Sequence, residues 1–129
     1  PLMDKADVVP MVNQIEVHPG FNSAPTIQFC KDNGIAIEAW GPFGNGQILK
    51  NETLMAISKK YNKSVAQICL RWIVQQGIVP LPKSTNLQRM KENLDVFDFI
   101  LSDEDMQTMS TLPACGGFCV DADNAPEDE

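Results

Sequence analysis

Ile35-Ala36-Ile37-Glu38-Ala39-Trp40-Gly41-Pro42-Phe43-Gly44-Asn45-Gly46 is a short apolar run that stops abruptly in glycines and prolines. The run is too short for an ordinary buried helix and its isoleucines favour an extended chain, so it reads as a strand, with the breakers as its loop. Upstream, Val8 to Val17 is rich in Val and Ile and reads as a first strand, buried on both faces. Downstream, Ile78 to Leu81 reads as a third.

Helical patterns fill the intervals. Ser23 is a candidate N-cap before Ala24-Pro25, with Ile27, Phe29 and Cys30 as the apolar side and Asn33-Gly34 as the stop. Glu52 to Tyr61 and Ser64 to Gln76 read as two helices, the second with Val65, Ile68, Cys69, Trp72 and Ile73 at three-and-four spacing. Lys83-Ser84-Thr85-Asn86 caps a helix through Arg89 and Asn93, and Ser102-Asp103-Glu104-Asp105 opens a last short one, its acids at the positive end of the dipole. Beyond Pro113 the glycines, acids and Pro126 read as an extended or mobile tail. Strand and helix alternate, which implies parallel strands joined by right-handed crossovers. A sheet of three parallel strands has two open edges, so the pattern reads as part of a larger α/β assembly.

The chain has 129 residues and a net charge of −7, with ordinary globular hydrophobic and charged fractions. All ten basic residues lie within residues 1–94, whereas residues 95–129 carry ten acids. A nucleic-acid partner is not expected, because no basic stripe interleaved with aromatics is present. Neither an uninterrupted apolar stretch of membrane-spanning length nor an export-type opening is visible, and a soluble cytoplasmic protein is expected. Cys30, Cys69, Cys115 and Cys119 show no zinc-type spacing and read as reduced thiols; Cys115 and Cys119 are spaced so that oxidation could join them.

No metal site is expected, and His18, the sole histidine, reads as a structural residue beside Pro19. The loop from Gly41 to Gly46 lets a backbone approach a phosphate closely but lacks the Rossmann spacing. Leu81-Pro82-Lys83-Ser84-Thr85-Asn86-Leu87-Gln88-Arg89 brings two cations, two hydroxyls and a helix N-terminus to the end of a strand, the ingredients of a phosphate clamp. On spacing alone the same segment is equally a capped helix with solvated Lys83 and Arg89. Trp40, at the mouth of its strand, reads first as core packing.

Val12 to Pro19, Glu38 to Gly44, Ser64 to Trp72, and Pro82-Lys83-Ser84 through Arg89, Glu92-Asn93 to Phe99 together resemble the aldo-keto reductase family in order and spacing. The resemblance covers residues 3 to 112, and the short loop after Trp40-Gly41-Pro42 is most similar to bacterial members such as the diketogluconate reductases. It implies the C-terminal portion of a (β/α)8 TIM barrel, about strands six to eight, with NADPH as cofactor and a small-molecule aldehyde or ketone as substrate. The resemblance assigns Gln14 to the nicotinamide carboxamide, Trp40 to stacking on its ring, and Gly41 and Phe43 to the pyrophosphate. Lys83, Ser84 and Arg89 would bind the 2′-phosphate, and Glu92 and Asn93 the adenine.

The family's catalytic Asp, Tyr, Lys and His lie on strands that this alignment does not include. Tyr61, the sole tyrosine, falls in a helix, and the chain opens with Pro1. The expectation is therefore a truncated, incomplete barrel. Residues 1–112 form its cofactor-binding sector and residues 113–129 an acidic tail; by itself it carries no catalytic residue and reduces no carbonyl. The alternative is a non-catalytic module that binds nucleotides, or binds partners or itself through its open sheet edges.

Overall fold

The computed structural model describes residues 2–117, with side chains from Met3 onward. Three strands, β1 (Val12–Glu16), β2 (Ala36–Trp40) and β3 (Val79–Pro80), run parallel in the order β1-β2-β3. β1 and β2 pair from Val12↔Ala36 to Glu16↔Trp40, and β2 and β3 at Glu38↔Val79 and Ala39↔Pro80. A short α1 (Leu2–Lys5), unexpected from sequence, precedes β1. α2 (Ala24–Asp32) crosses from β1 to β2, and α3 (Glu52–Tyr61) and α4 (Val65–Gln75) cross from β2 to β3. After β3 follow α5 (Leu87–Leu94) and α6 (Asp103–Ser110).

Because successive strand residues point to opposite faces, Val17, Ile37 and Ala39 share one side and Val12, Gln14, Ala36 and Glu38 the other. Helices cover only the first. Val17 and Ala39 there are fully buried, while Val12 is 51% exposed. The reading of the first strand as buried on both faces is thus corrected: a Val-rich run looks the same in sequence whether one face is covered or two. Its boundary moves too, from Val8 to Val12, since Val8 and Val9 are exposed and Pro10 lacks the N–H that a ladder needs. β3 shrinks from four residues to Val79–Pro80 for the same reason, with prolines at 80 and 82, although Leu81 N–H still donates to Ala39 O at 2.9 Å.

The core lies between the covered face and α3 and α4, with Leu54, Ile57, Ile68, Cys69, Trp72 and Ile73 packed on Ile37 and Ala39. Trp72 is fully buried and its indole N–H lies 3.3 Å from both Met106 O and Ser110 Oγ, which ties α4 to α6. Burial pushes the Cys69 thiol far above its ordinary range, so it acts as a small apolar side chain.

The helix starts follow local chemistry. Asn51, Ser64, Asn86 and Ser102 each accept a first-turn backbone N–H, and Ser64 with Gln67 completes a reciprocal capping box. Of the acids opening α6, Asp103 and Glu104 are exposed and Asp105 is buried. Desolvation would push the Asp105 carboxyl up, but Lys60, Tyr61 and Ser102 all donate to it and together hold it below the usual carboxylate range.

The segment after Pro113 departs from expectation as far as it is described. Cys115, Gly116 and Gly117 are half-buried, and Cys115 N–H donates to Gly20 O at 3.1 Å, closing the segment onto the turn after β1. Cys119 and most of the acidic tail, with the Cys115–Cys119 pairing, fall outside the described residues. Among the described residues, no helix is long and apolar enough to cross a membrane.

Candidate functional site

The loops after β2 and β3 leave the C-terminal ends of parallel strands, where α/β folds assemble their ligand sites. After Trp40 the chain turns sharply at Gly41 (φ +59°) and Gly44 (φ +50°), a left-handed backbone that favours glycine. Two tight turns across Gly44–Lys50, kinked at Asn45 and Gly46, then lead into α3. Phe43 and Leu49 from this loop form one wall of a groove of about 520 Å³.

The facing wall comes from the loop after β3 and from α5. Lys83, Ser84, Arg89, Glu92 and Asn93 line it, and Ser64, Val65 and Ala66 at the start of α4 complete the lining. Ser84 Oγ accepts the Asn86 N–H at 3.1 Å and lies 3.2 Å from Asn86 O, which curls the loop. Asn86 Oδ1 in turn accepts Arg89 N–H at 3.0 Å. One of the helix N–H groups that the sequence leaves free for a ligand is therefore already capped. Lys83 and Arg89 are exposed, and among the described residues neither pairs with a carboxylate. Glu92 accepts from Gln88 Nε2 at 3.1 Å along the helix.

The structure thus brings together Phe43, Lys83, Ser84, Arg89, Glu92 and Asn93. Gln14, Trp40 and Gly41 do not line this groove. Gln14 Nε2 donates to Glu38 Oε2 at 2.8 Å across the uncovered face of the sheet, with half-buried Trp40 at its end. Leu49, Ser64, Val65 and Ala66 escaped the sequence reading as groove residues; Ser64 had a signal, its capping box, but that signal reads as a helix start. His18 is fully buried, as a structural reading requires.

Two cations, a hydroxyl and an aromatic wall in one groove suit a phosphorylated ligand with a flat apolar part, and the volume lies in the range of small-molecule sites. Apolar hollows of about 510 and 430 Å³ also flank the sheet, the first against β1, α1 and α2, the second against β3, α4 and α5. Sheet and crossovers define an α/β protein whose parallel strands resemble a sector of a barrel, with a groove lined by Lys83 and Arg89 beyond its strand ends.

Residues 2–113 match the model of the Aldo/keto reductase family, and the chain belongs to that family. It is 49% identical over 111 residues to the glyoxal reductase of Bacillus subtilis, an alignment that takes in 86% of this chain and 40% of that protein. It is 48% identical over 114 residues to the 9,11-endoperoxide prostaglandin H2 reductase of Trypanosoma cruzi, with the same two coverages. Among solved structures, a mutant of Gox0644 in complex with NADPH superposes with a TM-score of 0.87 at 38% identity, over 98% of this chain and 47% of that one. The chain spans about 40% of the length of the curated relatives it matches. The family's architecture is a (β/α)8 barrel, and the three-stranded parallel sheet is consistent with part of one.

Proposed function

We propose that residues 1–112 are the NADPH-binding sector of an aldo-keto reductase, with β1, β2 and β3 as barrel strands six, seven and eight. The observation that carries this reading is the convergence of Lys83, Ser84, Arg89 and Phe43 on one groove. Bound there, NADPH would supply the hydride that reduces a small aldehyde or ketone in the cytoplasm. Lys83 and Arg89 hold the 2′-phosphate as a cation pair and Ser84 adds a hydroxyl, the combination that selects NADPH over NADH. Glu92 and Asn93 border the adenine, and the Gly41–Phe43 backbone runs beside the pyrophosphate. Gln14 and Trp40, on the uncovered sheet face, receive the nicotinamide. The complex of a mutant of Gox0644 with NADPH supports the choice of cofactor.

Reduction also needs a proton at the carbonyl oxygen. Tyr61 is tied to the helical side, its hydroxyl donating to Asp105 Oδ2 at 2.7 Å and accepting from Ser102 N–H at 2.9 Å. The sole histidine is buried. Hence the chain alone binds NADPH and leaves carbonyls unreduced. Titration of the purified chain should show saturable NADPH binding that Lys83→Ala weakens, with no aldehyde-dependent NADPH oxidation; turnover above the Lys83→Ala background would overturn the second half.

A second reading, association through the sheet edges, rests on Val79, Leu94 and Phe97, which expose apolar side chains at or beside β3. Light scattering decides it: a concentration-independent monomer would remove this reading.

A further inference from the structure

The loop that walls the groove rests on buried polar residues that play no part in the site described above. His18 is fully buried and Glu16 nearly so, at the C-terminal end of β1. The Pro19 carbonyl can only accept, so its 3.0 Å contact makes Nδ1 the protonated ring nitrogen. Nε2 then lies 3.4 Å from Glu16 Oε1, so the carboxylate packs against the far edge of the ring.

Three segments close on that imidazole. A methyl group at Gly44, in the loop after β2, would stand 3.1 Å from Cε1 and from Nε2. One at Gly116, in the C-terminal segment, would stand 3.3 Å from Cε1. Phe21 stacks on the ring with centroids 5.7 Å apart. Gly41 crosses above Glu16 in the same way, its added methyl 3.5 Å from Oε1. The imidazole therefore limits how deep Gly44 can settle, and Phe43 is the adjoining residue along the chain. Close-packed interiors pass such a displacement on instead of absorbing it.

We infer that His18, with Glu16 against it, is a positioning residue that fixes the height of the Gly41–Gly46 loop and so the Phe43 wall of the groove. The inference rests on the NADPH reading above and concerns the half of the nucleotide that runs along this loop. Lys83, Ser84 and Arg89 stand on the loop after β3 and on α5, so a ligand held only by them is indifferent to His18.

Calorimetric titration of the full chain with NADPH and with adenosine 2′-phosphate separates the two halves. His18→Ala should weaken NADPH about tenfold and leave adenosine 2′-phosphate unchanged. His18→Gln, closer in volume and still able to donate a hydrogen bond, should show the same split more weakly and carries the test if His18→Ala loses its circular dichroism. Equal loss of both ligands, or no loss in a folded variant, overturns the inference alone. A wild-type chain that binds neither ligand removes the nucleotide reading and the inference with it.

Discussion

The two faces of the sheet come from the same three strands and differ in nearly everything else. One is sealed by α3 and α4, with Val17, Ala39, Leu54, Ile68 and Trp72 out of reach of water. The other shows Val12, Gln14 and Ala36 to solvent beside half-buried Glu38, which accepts the Gln14 side-chain hydrogen bond. The covered face packs strand against helix, whereas no helix packs on the other face among the described residues, where Glu16 at the strand end is buried beneath Gly41. The candidate site straddles that division. On the proposed reading, its phosphate half is assembled from consecutive units, and its nicotinamide half would lie on the bare face.

The sharpest way to break this contrast is to remove a large side chain from each face. Trp72→Ala should cost about 3–5 kcal/mol in urea denaturation, because it leaves a cavity and removes the indole N–H that reaches Met106 and Ser110. Val79→Ala, on a side chain 54% exposed, should cost under ~0.5 kcal/mol. Comparable losses of stability at both would mean that the second face is covered in solution.

The site halves should diverge next. Arg89→Ala should lower NADPH affinity by about 1.5–3 kcal/mol, the usual worth of a charge-assisted hydrogen bond. Gln14→Ala should leave it within about twofold in this chain, since Gln14 sits on the face that no helix covers. A larger effect at Gln14 than at Arg89 would invert the picture.

A smaller effect tests the seal between α3 and α6. Asp105 titrates below its ordinary range in the folded chain, so its contribution to stability is complete above the unfolded carboxyl pKa of roughly 3.9 and is lost as pH falls through the lower folded value. The urea midpoint should therefore drop on acidification below about pH 4, and Asp105→Asn should flatten that part of the curve. An unchanged slope in the variant would place the acid sensitivity elsewhere.

What could be read ahead of the structure was what is local. A helix opening at Ser64, Ser102 before its acids, and Asn33-Gly34 at a helix end are signals carried within a few residues, and each fell where expected. Strand alternation gave parallel pairing for the same reason. Strand limits were less legible, because Val8 and Val9 look like core until the sheet shows nothing packed upon them. The docking of Cys115 to Gly20 and the meeting of Gly44 and Gly116 on His18 join segments far apart in sequence, and no spacing rule announces them. Asp105 read only as one of three acids at a helix start because its partners Lys60 and Tyr61 stand on another helix.

The groove was half legible. Lys83, Ser84 and Arg89 could be grouped by position at a strand end, but that Phe43 closes on them depends on two left-handed glycines turning the chain back over α4. Their meeting on a phosphorylated nucleotide is the central claim. It is tested most directly by the ratio of NADPH to NADH affinities, measured by titration of the wild-type chain and of Arg89→Ala. The account predicts a clear preference for NADPH that the substitution abolishes; equal affinities in the wild type, or a preference that survives in Arg89→Ala, would contradict it.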